Sequence, residues 1–127
     1  MTKAGVPKEV EHFIAAEIES VEQLEVLLLL RGAADKRWTA PEVARALVSQ
    51  PDSAATWLET LTSSGLLQHA QEGYRYAPPS SDVERTVDAL AESFAKYRVA
   101  VIGLIFSKPS ERVRLFSDAF RIRRPKD

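Results

Sequence analysis

The chain predicts a mostly α fold with a small β-wing, and three observations carry the prediction. Ser or Thr followed three residues later by Glu or Gln occurs at Ser20/Gln23, Thr39/Glu42 and Ser81/Glu84, each ahead of apolar residues at helical spacing. Gly32 and Gly65 stand where two of those helices would stop. Between Gly65 and Pro78 the pattern changes to short extended segments around the pair Glu72-Gly73.

Each element follows from local chemistry. Pro7 suits a first helical turn, because its missing N–H has no partner to lose there. Val10, Phe13, Ile14 and Ile18 then fall on one helical face. A second helix, capped by Ser20, carries Val21, Leu24 and the run Val26 to Leu30 before Gly32. Five consecutive apolar residues cannot share one face, so this helix is expected at the centre of the core. Lys36-Arg37-Trp38 is expected as a short strand. Thr39 and Glu42 form a capping box, Pro41 lies in the first turn, and the helix carries Val43, Ala44, Leu47 and Val48 to about Ser49.

After the turn Gln50-Pro51-Asp52 a helix runs from about Pro51 to Ser64, with Ala54, Trp57, Leu58 and Leu61 inward. Gly65 closes it in a left-handed conformation. Leu66 to Gln71 and Tyr74 to Tyr76 are the strands of a hairpin turning at Glu72-Gly73. Tyr74 and Tyr76 alternate with Arg75, so both are expected to pack on the domain. Ser81 with Glu84 starts a long helix reaching Phe106, with the stripe Val83, Val87, Leu90, Ala91, Phe94, Arg98, Val101 and Ile105. Pro109 interrupts, and Ser110 opens a last helix carrying Val113, Phe116, Ala119 and Phe120.

Composition sets the function classes. The chain of 127 residues, 45% apolar and 28% charged with net charge −1, is read as one domain. The core spans about residues 20–77 and a C-terminal helical extension about 81–124. The near-zero charge gives no global basic field. The absence of cysteine excludes disulfides, thiolate metal sites and cysteine nucleophiles. His12 and His69 are far apart in sequence and the five glycines form no phosphate loop, so neither metal, cofactor nor enzymatic activity is expected. The eight-residue run Val99 to Phe106 falls short of the roughly 20 residues of a membrane span, and the N-terminus has no signal-peptide core. A cytoplasmic, soluble protein is expected.

The segment Glu22 to Ala77 resembles bacterial winged helix-turn-helix transcriptional regulators of the broad MarR/PadR-like kind. The resemblance rests on EQLEVLLLL, TAPEVARAL, PDSAATWLETLTSSGLL and QHAQEGYRY, a little under half the chain. It implies a winged helix with N-terminal and long C-terminal helical extensions, double-stranded DNA as partner, and dimerisation through the long helix. The helix after Pro51 would then enter a DNA groove. Its outward positions are expected at Asp52, Ser53, Thr56, Glu59, Thr60 and Ser63, none of them Lys or Arg. Between Glu42 and Gln71 one arginine stands against three carboxylates. The DNA-contacting set is therefore Ser53, Thr56 and Thr60, with Arg37 and Arg75 on flanking phosphates. The alternative is a winged helix used for protein contact without DNA. A third reading is a regulator gated by a small molecule held between the long helix and the winged helix.

Two features lie outside that frame. Residues 108–127 carry seven basic side chains against three acidic, whereas residues 1–31 carry three against six. The tail is expected to lie against the acidic N-terminal helix or to contact nucleic acid or an acidic partner. Val99 to Phe106 is apolar around the whole helix, so a homodimer is expected through Val99, Ile102, Leu104, Ile105 and Phe106, with Gly103 allowing close approach. The competing arrangement has the last helix fold back through Phe116 and Phe120.

Overall fold

The computed structural model describes residues 5–107. Its elements are α1 (Lys8–Glu17), α2 (Val21–Gly32), α3 (Ala40–Leu47), α4 (Pro51–Ser63), β1 (Leu67–Ala70), β2 (Gly73–Tyr76), α5 (Ser81–Lys96) and α6, which starts at 98 and is helical through 107, the last described residue. Six helices and one small antiparallel hairpin make up the regular structure of the described residues.

The helix starts follow their caps. Thr39 accepts the Glu42 N–H while the Glu42 carboxylate accepts the Thr39 N–H, a reciprocal box. Ser20 accepts the Gln23 N–H at 3.0 Å. Gln23 itself is fully buried, and its amide reaches back past the cap, accepting from Glu19 N–H and donating to the Glu17 carbonyl at 2.9 Å. One side chain thereby joins the end of α1 to the start of α2. At α5 the cap is Ser80, which accepts the Val83 N–H, and not Ser81, which is the first helical residue. Two adjacent serines offer the same hydroxyl, and the extended backbone that a cap requires falls on Ser80 (φ −154°, ψ 165°).

The ends are equally local. After α4, Gly65 at φ +88° donates to the Thr62 carbonyl and Leu66 to the Leu61 carbonyl, both at 3.0 Å, the two bonds of a Schellman closure. The end of α3 is different. Val48 occupies the left-handed region at φ 55° with its side chain 91% exposed, a conformation that costs a β-branched residue energy.

The core joins all these elements. Leu24, Val26, Leu27 and Leu30 of α2 are fully buried, as the apolar run demands for a central helix. α4 packs on both α2 and α3, and α1 lies along α5. From α4 the core takes Ala54, Leu58 and Leu61; Trp57 packs only partly against it. Tyr74 and Tyr76 of β2 close it from the hairpin side.

Two expectations on element extent are corrected. The strand expected at Lys36-Arg37-Trp38 is a single antiparallel bridge, Trp38 to Tyr74, made by bonds of 2.8 and 2.7 Å. The helix expected to run from Ser81 to Phe106 breaks at Tyr97, where φ is −130° and ψ 50°. Neither glycine nor proline causes the break. The Tyr97 ring sits on Gly5, and Arg98 lies 4.3 Å over the Phe94 ring and 3.5 Å from Glu25 of α2. These tertiary contacts set α6 off from α5. The last helix expected from Ser110, and the basic tail, lie outside the described residues.

Candidate nucleic-acid interface

The hairpin is built on register. Leu67 pairs with Tyr76, Gln68 with Arg75, His69 with Tyr74 and Ala70 with Gly73, leaving Gln71 and Glu72 as the turn. The Trp38 bridge adds a third backbone on the free side of β2. Side chains alternate across a strand, so this arrangement makes two rows. Trp38, Tyr74 and His69 form one, with the His69 ring stacked on Tyr74 at 4.0 Å and 4°. Arg37, Arg75 and Gln68 form the other, on the opposite face from the buried tyrosines.

Gly73 makes the arrangement possible. Its φ of +128° excludes ordinary L side chains, and a Cβ there would overlap the Trp38 carbonyl. The turn therefore needs glycine twice, for its own conformation and for the approach of the Trp38 backbone.

The arginine row has incomplete hydrogen bonding. Arg75 donates to Gln68 Oε1 at 2.8 Å, while its Nε is buried without a partner. Arg37 lies 3.7 Å from Glu72 at the hairpin tip, and its Nη1 likewise lacks a partner. Lys36 is held beside the row, 3.9 Å from Glu42 and 4.6 Å from the centre of the Trp38 ring. Exposed pairs of this kind are worth about 0–1 kcal/mol, so an incoming anion can exchange with them.

The α4 residues are disposed otherwise. Ser53, expected to face outward, is half-buried and donates to Glu22 Oε1 of α2 at 2.7 Å. That correction has a simple cause: α4 packs across α2, and the hydroxyl partners a carboxylate there that would otherwise lack a donor. Thr56 is exposed and Thr60 half-buried. Their hydroxyls donate to the carbonyls of Asp52 and Thr56, at 3.1 and 2.9 Å. Asp52 and Glu59 are exposed on the same helix. Burial raises the Tyr74 pKa and the charge of Glu59 raises it further.

The five residues expected at a dimer contact separate in the structure. Ile105 is buried in the chain's own core and is not available to a second subunit. Ile102 and Leu104 are partly buried against that core. Val99 and Phe106 are exposed, at 84% and 67%. No cluster of His, Cys, Asp and Glu able to hold a metal occurs among the described residues, and no described helix is long and apolar enough to cross a membrane. No family model, curated protein or solved structure matches this chain.

Sequence reasoning missed the Glu22–Ser53 contact and the Arg31–Asp88 pair, 2.9 Å apart, that ties α2 to α5. Neither has a local signal, since each joins residues far apart in the chain. The Arg75–Gln68 partnership was accessible, because the hairpin register implies it.

Proposed function

We propose that this chain is a winged helix-turn-helix regulator that engages double-stranded DNA, anchored by its wing. Helix α3, the turn and helix α4 followed by the hairpin supply the layout. The observation that carries the reading is the pairing register, in which Trp38 bridges Tyr74 and Gln68 pairs with Arg75, so that Arg37 and Arg75 occupy neighbouring positions on the face opposite the buried tyrosines. The exposed edges of these half-buried guanidinium groups suit phosphate oxygens. The wing supplies orientation and most of the affinity, while Thr56 and Thr60 offer hydroxyl oxygens toward the groove. Asp52 and Glu59 oppose the DNA backbone and keep the affinity low.

A second reading, a protein-docking winged helix, is favoured by one specific observation: Pro51–Ser63 contains no Lys or Arg and exposes Asp52 and Glu59. Charge-neutralising substitution separates the two. Under the DNA reading Glu59→Gln tightens binding to duplex DNA several-fold and Arg75→Ala weakens it at all sequences alike. Duplex binding unaffected by both would remove the DNA reading and leave α4 as a docking face.

A further inference from the structure

The turn between α3 and α4 holds Val48, the only non-glycine residue with positive φ among the described residues, at φ 55° and ψ 54°. Hydrogen bonds fix its backbone. The Val48 N–H donates to the Arg45 carbonyl at 3.4 Å and the Ser49 N–H to the Ala44 carbonyl at 2.8 Å, which closes α3. That closure needs a left-handed backbone and gains nothing from a β-branched side chain, since glycine or asparagine takes the same conformation at little cost. The valine side chain is 91% exposed, so it adds almost nothing to the core. Strain and bare apolar surface are thus both borne by the free chain without any packing to offset them. Strain of this kind, imposed by the surrounding structure, clusters where a protein meets its ligand or partner.

The neighbours of Val48 indicate the chemistry it meets. Arg45, three residues earlier, is exposed and makes no ion pair among the described residues. Pro51, three residues later, opens α4. In a helix-turn-helix the first helix crosses the DNA backbone, and the N-terminal residues of the second meet base edges in the major groove. Val48 stands between those two positions. We propose that Val48 reads the duplex by packing its side chain on a thymine methyl, with Arg45 on the adjoining phosphate. The thymine methyl is the apolar group that base edges display in the major groove. A left-handed backbone fixes the direction of the Cα–Cβ bond, and a β-branched side chain is stiff about χ1, so little entropy is lost on contact. The inference rests on the DNA reading.

The test removes the two halves of the contact separately. A pool of genomic duplex fragments is amplified with thymidine or with deoxyuridine, which lacks only that methyl. Wild type, Val48→Ala and Val48→Gly are titrated against both pools by fluorescence anisotropy at about 50 mM salt. One buried methyl is worth about fourfold in affinity, so wild type should bind the uracil pool about fourfold more weakly than the thymine pool. Both variants should bind the thymine pool about fourfold more weakly than wild type and bind the two pools alike. Relief of strain keeps both variants at or above the wild-type Tm, so calorimetry separates a lost contact from a lost fold. Variants that bind the thymine pool as wild type does, or that keep its preference for thymine, overturn the inference and leave the DNA reading standing. A wild type that binds both pools equally overturns it too, and assigns any loss in the variants to the geometry of the turn. Absence of duplex binding by the wild type overturns the DNA reading and this inference together, leaving the turn as a face for a protein partner.

Discussion

Replacing Gly73 by alanine tests the wing geometry, and Gly65 provides the control. Both glycines have positive φ, +128° and +88°. At Gly65 an added Cβ meets nothing within 4 Å, so Gly65→Ala carries only the conformational cost, about 1–2 kcal/mol. At Gly73 the same atom overlaps the Trp38 carbonyl, and the Trp38 segment must move away. Two hydrogen bonds then open, Trp38 N–H to Tyr74 carbonyl at 2.8 Å and Tyr74 N–H to Trp38 carbonyl at 2.7 Å. At about 0.5–1.5 kcal/mol each they contribute about 1–3 kcal/mol. Backbone strain adds about 1–3 kcal/mol. Gly73→Ala should therefore cost about 2–6 kcal/mol, clearly more than Gly65→Ala. Urea unfolding followed by far-UV circular dichroism gives both values. Amide hydrogen exchange at Trp38 and Tyr74 reports the bridge directly, with protection lost only in the Gly73 variant. Equal costs for the two variants, or a protected bridge in Gly73→Ala, would refute the reasoning.

Other consequences follow from single residues. Val48→Gly relieves a left-handed β-branched residue whose side chain is 91% exposed, against the entropy of glycine in the unfolded chain. It should stabilise by about 0.5–1 kcal/mol and raise Tm by about 2–5 °C in calorimetry; an unchanged or lowered Tm contradicts the strain. Gln23→Ala removes two hydrogen bonds at the α1–α2 junction and a fully buried side chain, so it should cost about 2–4 kcal/mol in urea unfolding. A loss below about 0.5 kcal/mol would mean the junction is held by other contacts. The Tyr76 phenol is pushed up to about 12, by burial first and then by the Asp88 charge. Its folded pKa lies above the unfolded value, so its contribution to stability is complete below about pH 10 and is lost as pH rises toward 12. Absorbance at tyrosinate wavelengths should show Tyr76→Phe removing a step that coincides with alkaline unfolding. Ionisation of Tyr76 near pH 10 with the fold intact would contradict its burial.

Local chemistry was legible in the sequence wherever a signal spans four or five residues. The Thr39/Glu42 box, the Ser20 cap, the stop at Gly65 and the burial of Tyr74 and Tyr76 all follow from chemistry within one turn or one strand. The misses arise where distant residues decide. Tyr97 breaks the helix through contacts with Gly5 and through its neighbour's pairing with Glu25, neither of which periodicity encodes. Ser53 turns inward because α4 crosses α2 beside Glu22, so counting outward positions on an isolated helix misplaces it. The row of Arg37 and Arg75 depends on one bridge rather than a strand. The sequence marks both arginines but does not place them side by side.

Duplex binding as a function of salt tests the proposed function most directly. The full chain is titrated against pooled labelled genomic duplex fragments by fluorescence anisotropy at about 50 mM and 200 mM salt, alongside Arg75→Ala. The account predicts binding that weakens steeply with salt, and a log–log slope smaller by about 1 in the variant, reflecting one lost phosphate contact. No binding at the lower salt, or a slope indifferent to Arg75, would contradict a DNA-engaging wing.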